Sequence, residues 1–531
     1  MAKNLFLILA LIVTVLVPVA LRPKQTTGSQ PGARTLVIVT PHNESIRYEF
    51  RQAFETYYAA RTGQKVRVDY RTPGGTSEIA RYVSSEYSAA FEYYWTRKLN
   101  KNWSSAVERA FANPRISTES GDSVEQEARR AFLASNVSCG LDLFFGGGAL
   151  DFQSQAGAGY LVDNGFIAAH PELFNQNSIP QTVSGEPFWD PQGRWIGTVI
   201  SSFGICSNTD ALQRRGIGKP PERWSDLADP RYFGSIALAN PSQSGSVNKA
   251  IEMLIQQQIQ EEIEARRVSG VPGDAVAEGW ARAMRLIMRI AANARYFTDL
   301  ATKIPLDVAA GDAAAGMTID FYGRFQSEAM RRPDGSSPVQ YANAAAGTSI
   351  GVDPIGLFRG APNADVAREF IGFVFSEEGQ RLWNWKPGTP GGPLHYALRR
   401  LPILPALYAN DFKKFRSDPD INPYESARTF VYNGKWTGTL FRSIAFSVRV
   451  MCIDSHDELV EAWRALIDAR FPPEATAAFS NVEAVDYKAA SGPIREALGP
   501  NKIAEVRLAR ELADRFRAQY RAVTALARAG R

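Results

Sequence analysis

Cysteine and histidine are scarce in this 531-residue chain, which holds three of one and four of the other. Cys139, Cys206 and Cys452 show no CxxC spacing and no nearby histidine pair, so neither a zinc site nor a disulfide framework is indicated. At most one bridge can form in an oxidising compartment, and the sequence does not say between which two. Four histidines leave few general bases, no nucleophile and base are legible as a pair, and an enzyme is not expected. An excess of one charge is lacking too. Sixty Lys and Arg face 55 Asp and Glu for a formal net charge of +5, and residues 501–531 alone carry eight basic and three acidic side chains. The other 500 residues are therefore neutral, and without cations concentrated on one surface no nucleic-acid partner is expected. GxxxxGK[ST], GxGxxG with a following acidic strand end, and repeats of 20–50 residues are all missing. What remains is a composition 45% hydrophobic and 22% charged, enough for two to four globular domains.

Long apolar runs are limited to one, LFLILALIVTVLVPVAL at residues 5–21. As a helix it rises about 25 Å, which suits a signal peptide or a short membrane anchor. Residues 1–34 are read as that segment plus a polar linker, with cleavage after Ala20 or retention as an anchor both open. The chain is thus expected to be exported, or held at the membrane it crosses.

Folding signals begin at Leu36–Val39, a strand buried on both faces. Ile46, Phe50, Phe54 and Tyr58 recur every fourth residue as an amphipathic helix, and Val66, Val68 and Tyr70 alternate as a second strand. Pro73, Gly74 and Gly75 turn the chain into a helix starting near Thr76 and Ser77. This order opens a parallel α/β sheet. Residues 87–136 break the rhythm with an aromatic helical insertion. Strands follow at Leu141–Phe145, in RWIGTVISSFGICSNTDAL, at Ser235–Ala239, near Asp320 and in TSIGVDPIGLFRG; residues 280–300 read as helical, as does most of the chain beyond 395.

Three places join a strand to a helix through glycine and hydroxyl residues: PGGTSEI with Gly75, Thr76 and Ser77, FGGGA with Gly147 and Gly148, and PSQSGSV with Ser242, Ser244, Gly245 and Ser246. A helix start offers unbonded N–H groups and the positive end of its dipole, which suits an anion. Each cluster taken alone is equally an ordinary cap. Taken together they gain weight, because ligands of open α/β sheets sit beyond the carboxyl ends of the strands, where all three lie.

The order LVIVTPHNESIR, GGTSEIARYV, DLFFGGGALDFQSQAGAGYLVD, WIGTVISSFGICSNTDAL, WSDLADPRYFGSIALANPSQSGSVNKAIEML, DAAAGMTIDFYGRF and ADVAREFIGFVFSEEGQRLW resembles a family 1 extracellular solute-binding protein of an ABC importer, in the group of the periplasmic ferric-ion-binding proteins. The likeness covers residues 35–86 and 137–395. It implies a two-lobe α/β fold of the type II periplasmic-binding-protein kind, with a helical insertion and a helical C-terminal extension. Its divisions would be lobe 1 at 35–204, lobe 2 at 205–349, a return to lobe 1 at 350–400 and the extension at 401–531. The implied function is capture of a small solute between the lobes by hinge closure, for the membrane subunits of an importer, by a monomer without cofactor. Ferric-binding relatives use a histidine, a glutamate and two adjacent tyrosines; here His42, Glu86 and the pair Phe321 and Tyr322 stand at those places. Phe321 cannot ligate iron, so the expected guest is a small anion such as a phosphonate, phosphate ester or carboxylate. The contact set expected on this reading is His42, Asn43, the three clusters, Ser202, Asp320 and Tyr322, with iron held by His42, Glu86 and Tyr322 as the alternative. A ferric receptor with an anion co-ligand, a membrane-tethered sensory domain and an enzyme on the same scaffold stay open as rivals.

Overall fold

A computed structural model describes residues 33–530 apart from residues 120, 271–272 and 500–501. The apolar run at 5–21, with its expected role in export or anchoring, lies outside the described residues. None of the described helices is long and apolar enough to cross a membrane.

Strand β1 (Arg34–Val39) leads to α1 (Glu44–Thr62), whose first turn is closed by the Asn43 side chain accepting from the Ile46 N–H and whose end is set by Gly63 at φ 70°. Its stripe of Ile46, Phe50, Phe54 and Tyr58 is buried. After β2 (Val66–Arg71), α2 (Thr76–Tyr93) runs on through a π turn at Tyr94–Lys98. Next come β3 (Leu143–Phe145), α3 (Ala149–Ala158), β4 (Leu161–Val162), the hairpin β5 (Thr182–Val183) and β6 (Glu186–Pro187), and β7 (Ile196–Ser201). The chain then crosses at Ser202 into β8 (Phe203–Asn208), β9 (Ile236–Ala239), α4 (Gly245–Ser269), α5 (Ala275–Ala292), β10 (Ala294–Thr298), β11 (Ala315–Ile319), α6 (Asp320–Ala329) and β12 (Val339–Asn343). It returns through β13 (Gly351–Phe358) and β14 (Leu401–Pro402) and ends in α7 (Lys502–Ala529).

Two sheets organise these elements. The larger runs β14-β7-β13-β3-β1-β2 with β4 beside β13, and the smaller runs β10-β9-β11-β8-β12. In each, three strands pair in parallel with the earliest in the middle, β2-β1-β3 in one and β10-β9-β11 in the other. In each, the next strand is antiparallel, β13 against β3 and β8 against β11, and it is the strand that has just arrived from the other sheet. The chain is thus a two-lobe α/β protein whose lobes exchange one strand each. Burial agrees with the sheets, since one apolar cluster surrounds β1, β3, β7 and β13 and another surrounds β9, β11, α4 and α5.

Two stretches read as helical contain strands. Ala294 to Thr298 leave the helix of region 280–300 as β10, where the adjacent Tyr296 and Phe297 pair with Ala237 and Leu238 of β9. Leu401–Pro402 add a strand to lobe 1's sheet before the short helices of the C-terminal region begin. The aromatic insertion is part of lobe 1's core, with Phe91, Trp95, Phe111 and Phe132 fully buried there. The C-terminal region divides: Ile403, Tyr408, Tyr424 and Ala427 pack on lobe 1, whereas Ile444 to Ala527 pack on lobe 2. The chain therefore passes between lobes three times, at residue 202, between 343 and 351, and again around residues 430–440.

Candidate functional site

The starts of three helices converge where the lobes meet. Gly75 precedes α2 without a side-chain cap, so the N–H groups of its first turn have no hydroxyl or carboxylate of their own cap residue. Gly147, at φ 116°, lets the β3–α3 loop run beside Thr76; a Cβ there would sit 2.9 Å from the Thr76 methyl. Gly245 opens α4 from lobe 2, and a Cβ on it would lie 3.4 Å from Thr76 Oγ1. The PGGTSEI, FGGGA and PSQSGSV loops hence meet around Thr76, where the positive ends of two long helices from opposite lobes come close together. Ser77 and Ser246 sit half-buried one residue along their helices. Asp151 closes α3's first turn by accepting from the Gly148 N–H at 3.1 Å, and burial pushes its carboxyl up to about 6.

A charged floor lies beside these helix starts. Arg400, fully buried, donates to Asp353 Oδ2 at 2.6 Å and to Ser201 Oγ. Its guanidinium lies 4.3 Å from the Phe321 ring of lobe 2 and 5.6 Å from the Trp383 ring of lobe 1. His42 Nε2 is 3.4 Å from Arg400 Nη1 and 3.7 Å from Asp353 Oδ2. Arginine is always a donor, which assigns the proton of the neutral imidazole to Nδ1. That Nδ1 is buried and has no hydrogen-bond partner. Burial lowers the His42 pKa, so the ring is neutral at pH 7. Burial works against ionisation of Asp353 as well, but the Arg400 guanidinium outweighs it and holds the carboxyl below its usual range. Gly146 at φ 89° gives His42 its room, since a Cβ there would collide with the imidazole. Tyr322 is half-buried next to the same charges, its phenol pushed up to about 12 by burial.

Several residues expected at the site are used otherwise. Asp320 is fully buried and accepts from Arg324 Nη2 at 2.8 Å and from the Phe321 N–H at 2.8 Å, so its carboxylate is committed within α6. Glu86 is exposed, ten residues and about 15 Å of rise from the start of α2, and does not join His42 and Tyr322. The iron alternative thereby loses its carboxylate as well as one phenolate. No cluster of three His, Cys, Asp or Glu with metal-holding geometry exists among the described residues. Asn43 caps α1, Ser202 donates to Asn343 Oδ1 at 2.9 Å, Ser242 donates to Asn240 Oδ1 at 2.7 Å, and Ser244 caps α4 through the Val247 N–H at 3.4 Å. Cys139, Cys206 and Cys452 are free and buried.

Arg400, Asp353 and Asp151 were not legible in the sequence. Arg400 reaches the crevice from a segment beyond every matched motif, in LRRLPILP, where nothing in the spacing separates it from a solvated arginine. Asp353 lies inside a strand and Asp151 reads as an ordinary N3 cap residue.

This chain is similar to known proteins by family model, by sequence and by structure. Residues 137–396 match the family model described as bacterial extracellular solute-binding protein. An uncharacterized protein of Haemophilus influenzae is 26% identical over 253 residues, 46% of this chain and 61% of that one. The phosphoglycerate transport regulatory protein PgtC of Salmonella typhimurium is 24% identical over 187 residues, 35% of this chain and 40% of that one. The chain thus spans 61% and 40% of the length of these curated relatives. Among solved structures, it is similar to the periplasmic binding protein AfuA of Actinobacillus pleuropneumoniae with fructose-6-phosphate bound, at 16% identity and TM-score 0.47 over 81% of this chain and 97% of that one. Iron-bound HitA of Pseudomonas aeruginosa aligns at 14% identity and TM-score 0.46 over 78% and 99%.

Proposed function

Residues 137–396 belong to the bacterial extracellular solute-binding family, and from that premise we propose that the chain captures a small anionic solute in the crevice between its lobes for an ABC importer. The solute class is a phosphonate, phosphate ester or carboxylate, and the family points to the periplasm as the place of capture. One observation carries the reading: the start of α2 from lobe 1, to which Gly75 supplies no side-chain cap, and the start of α4 from lobe 2 come together at Thr76 and Gly245. An anion seated there meets backbone N–H groups from both lobes, so its binding energy depends on the lobes being together. Neutral His42, with a buried Nδ1–H lacking a partner, adds a donor without adding a charge. The Asp353 carboxylate is offset by Arg400, which keeps it from repelling the guest.

Native mass spectrometry of the protein as purified, followed by denaturation, tests the solute class. A non-covalent small anion is expected in the released fraction; one ferric ion without an organic acid would overturn the assignment. Replacing both Thr76 by Val and Ser246 by Ala is expected to weaken binding of the identified anion by about tenfold or more while the thermal midpoint moves little. Unchanged affinity in that double variant sinks the role of the helix starts.

A further inference from the structure

The residues that follow the family segment hold the lobes together on the side next to Arg400. Arg399 is one of the few non-glycine residues with a left-handed backbone, at φ 54°. Its Nη2 donates to Asp418 Oδ1 at 2.7 Å and to the Ser417 carbonyl at 3.3 Å, and its Nη1 donates to Glu328 Oε2 at 3.2 Å. Asp418 belongs to lobe 1, where Asn384 Nδ2 donates to its other oxygen at 3.0 Å. Glu328 sits on α6 of lobe 2. From the same helix Arg324 Nη2 donates to the Arg399 carbonyl at 3.0 Å while also pairing with Asp320, and its Nε lies 3.7 Å from Asp418 Oδ1. Asp320, Arg324 and Asp418 are almost entirely buried and Arg399 nearly so. Two cations and two anions thus interlock across the lobe boundary, with Glu328 at the rim.

This arrangement is more than a surface pair. Exposed ion pairs contribute little, but charges withdrawn from water hold to one geometry because a displaced member is left without a partner. The residue next in sequence is Arg400, fixed on lobe 1 by its own N–H to the Trp383 carbonyl at 2.8 Å. Its side chain rests on Phe321 of α6, the neighbour of Asp320. The backbone that lobe 2 grips at Arg399 is therefore the backbone that aims the Arg400 guanidinium.

We propose that the segment Arg399 to Asp418 is an interlobe clasp gripped by Arg324 and Glu328, and that its release sets how far the lobes part and whether Arg400 stays aimed into the crevice. In this mechanism bending of the crossover strands is not sufficient for opening. The four-charge contact has to break first, and a solute that strengthens lobe contact at Thr76 and Gly245 keeps it made. Arg399, Asp418 and Arg324 are positioning residues here.

The proposal is tested on the full chain without added solute, so its outcome does not depend on the solute's identity. Small-angle X-ray scattering and hydrogen exchange are measured for the parent protein, Arg399→Met, Glu328→Gln and the double variant, with circular dichroism reporting the fold. The parent is expected to scatter as the closed arrangement. Arg399→Met should increase the radius of gyration and speed exchange around residues 399–418 and 320–329 by about tenfold, without loss of helical signal. Glu328→Gln should do the same to a smaller extent and add little on top of Arg399→Met. Scattering and exchange identical to the parent in all three variants would overturn the clasp, as would a parent protein already open. Should Arg399→Met fail to fold, the exchange of Glu328→Gln decides alone, since that side chain is exposed.

Discussion

The two lobes share one strand order but are enlarged in opposite ways. Lobe 1 takes in an insertion from the middle of its sequence, and its core becomes aromatic: Phe91 lies against Phe111 at 4.9 Å between ring centres, Phe111 against Phe132 at 5.0 Å, and Tyr87 stacks on Tyr160 at 4.5 Å. Lobe 2 takes in a segment from the end of the chain, and its core stays mainly aliphatic, α4 and α5 sharing one buried cluster with Ile444, Met451, Leu466 and Tyr520. An insertion joined at both ends can fold with its host lobe, whereas the C-terminal layer reaches its host only after crossing back from lobe 1. The added packing is thus local in one lobe and long-range in the other.

The most disruptive test of that contrast is truncation after residue 440. It would bare Trp280 of α5, whose indole N–H donates to the Val485 carbonyl at 2.9 Å and whose ring packs on Tyr487, and lobe 2 is expected to lose slow-exchanging amides altogether while β1, β3 and β7 keep theirs. Equal protection in both lobes would show that the C-terminal layer is an accessory. A smaller effect should come from Phe132→Ala, which removes a ring touching Tyr87, Phe91, Phe111 and Tyr160. A loss of about 3–5 kcal/mol in urea unfolding is expected, with protection falling in lobe 1 first. Simultaneous loss in both lobes would mean that the clasp makes them one cooperative unit.

The mildest effect concerns the crevice they share. Asp151 belongs to lobe 1 and sits beside Thr76, Gly147 and Gly148, with Asp353 near enough to raise its pKa further. Below pH 6 its carboxyl is protonated and uncharged; above pH 6 it is ionised and faces the anion. Affinity for a solute whose own charge is constant is therefore expected to fall by about tenfold between pH 5 and pH 7.5, measured by calorimetry. Asp151→Asn should flatten the profile, and a profile unchanged by that substitution would place the anion away from the α3 start.

Much of the architecture was legible because it follows from local periodicity. The fourfold spacing of Ile46, Phe50, Phe54 and Tyr58 has one burial solution, and a β-branched run such as Leu36–Val39 suits a strand covered on both faces. The three glycine and hydroxyl clusters were legible as helix starts for the same reason. β10 was hidden because Ala294–Thr298 follows a helix without a glycine or proline to mark the change. Of the expected contacts, Asp320 and Ser202 carried no sign that Arg324 and Asn343 would occupy them, since partners 4 and 141 residues away look alike to a pattern of residue types.

By itself the sequence determined which segments are strands, which are amphipathic helices and where helices begin, because backbone geometry and side-chain period act over a few residues. Only the tertiary structure decided that Thr76 meets Gly245, that Arg400 stands beside His42 and Asp353, and that Arg399 is held by the opposite lobe. Those contacts join positions tens to hundreds of residues apart. Closing such loops and withdrawing their charges from water is a property of the whole packed chain, and no short stretch of it carries the information.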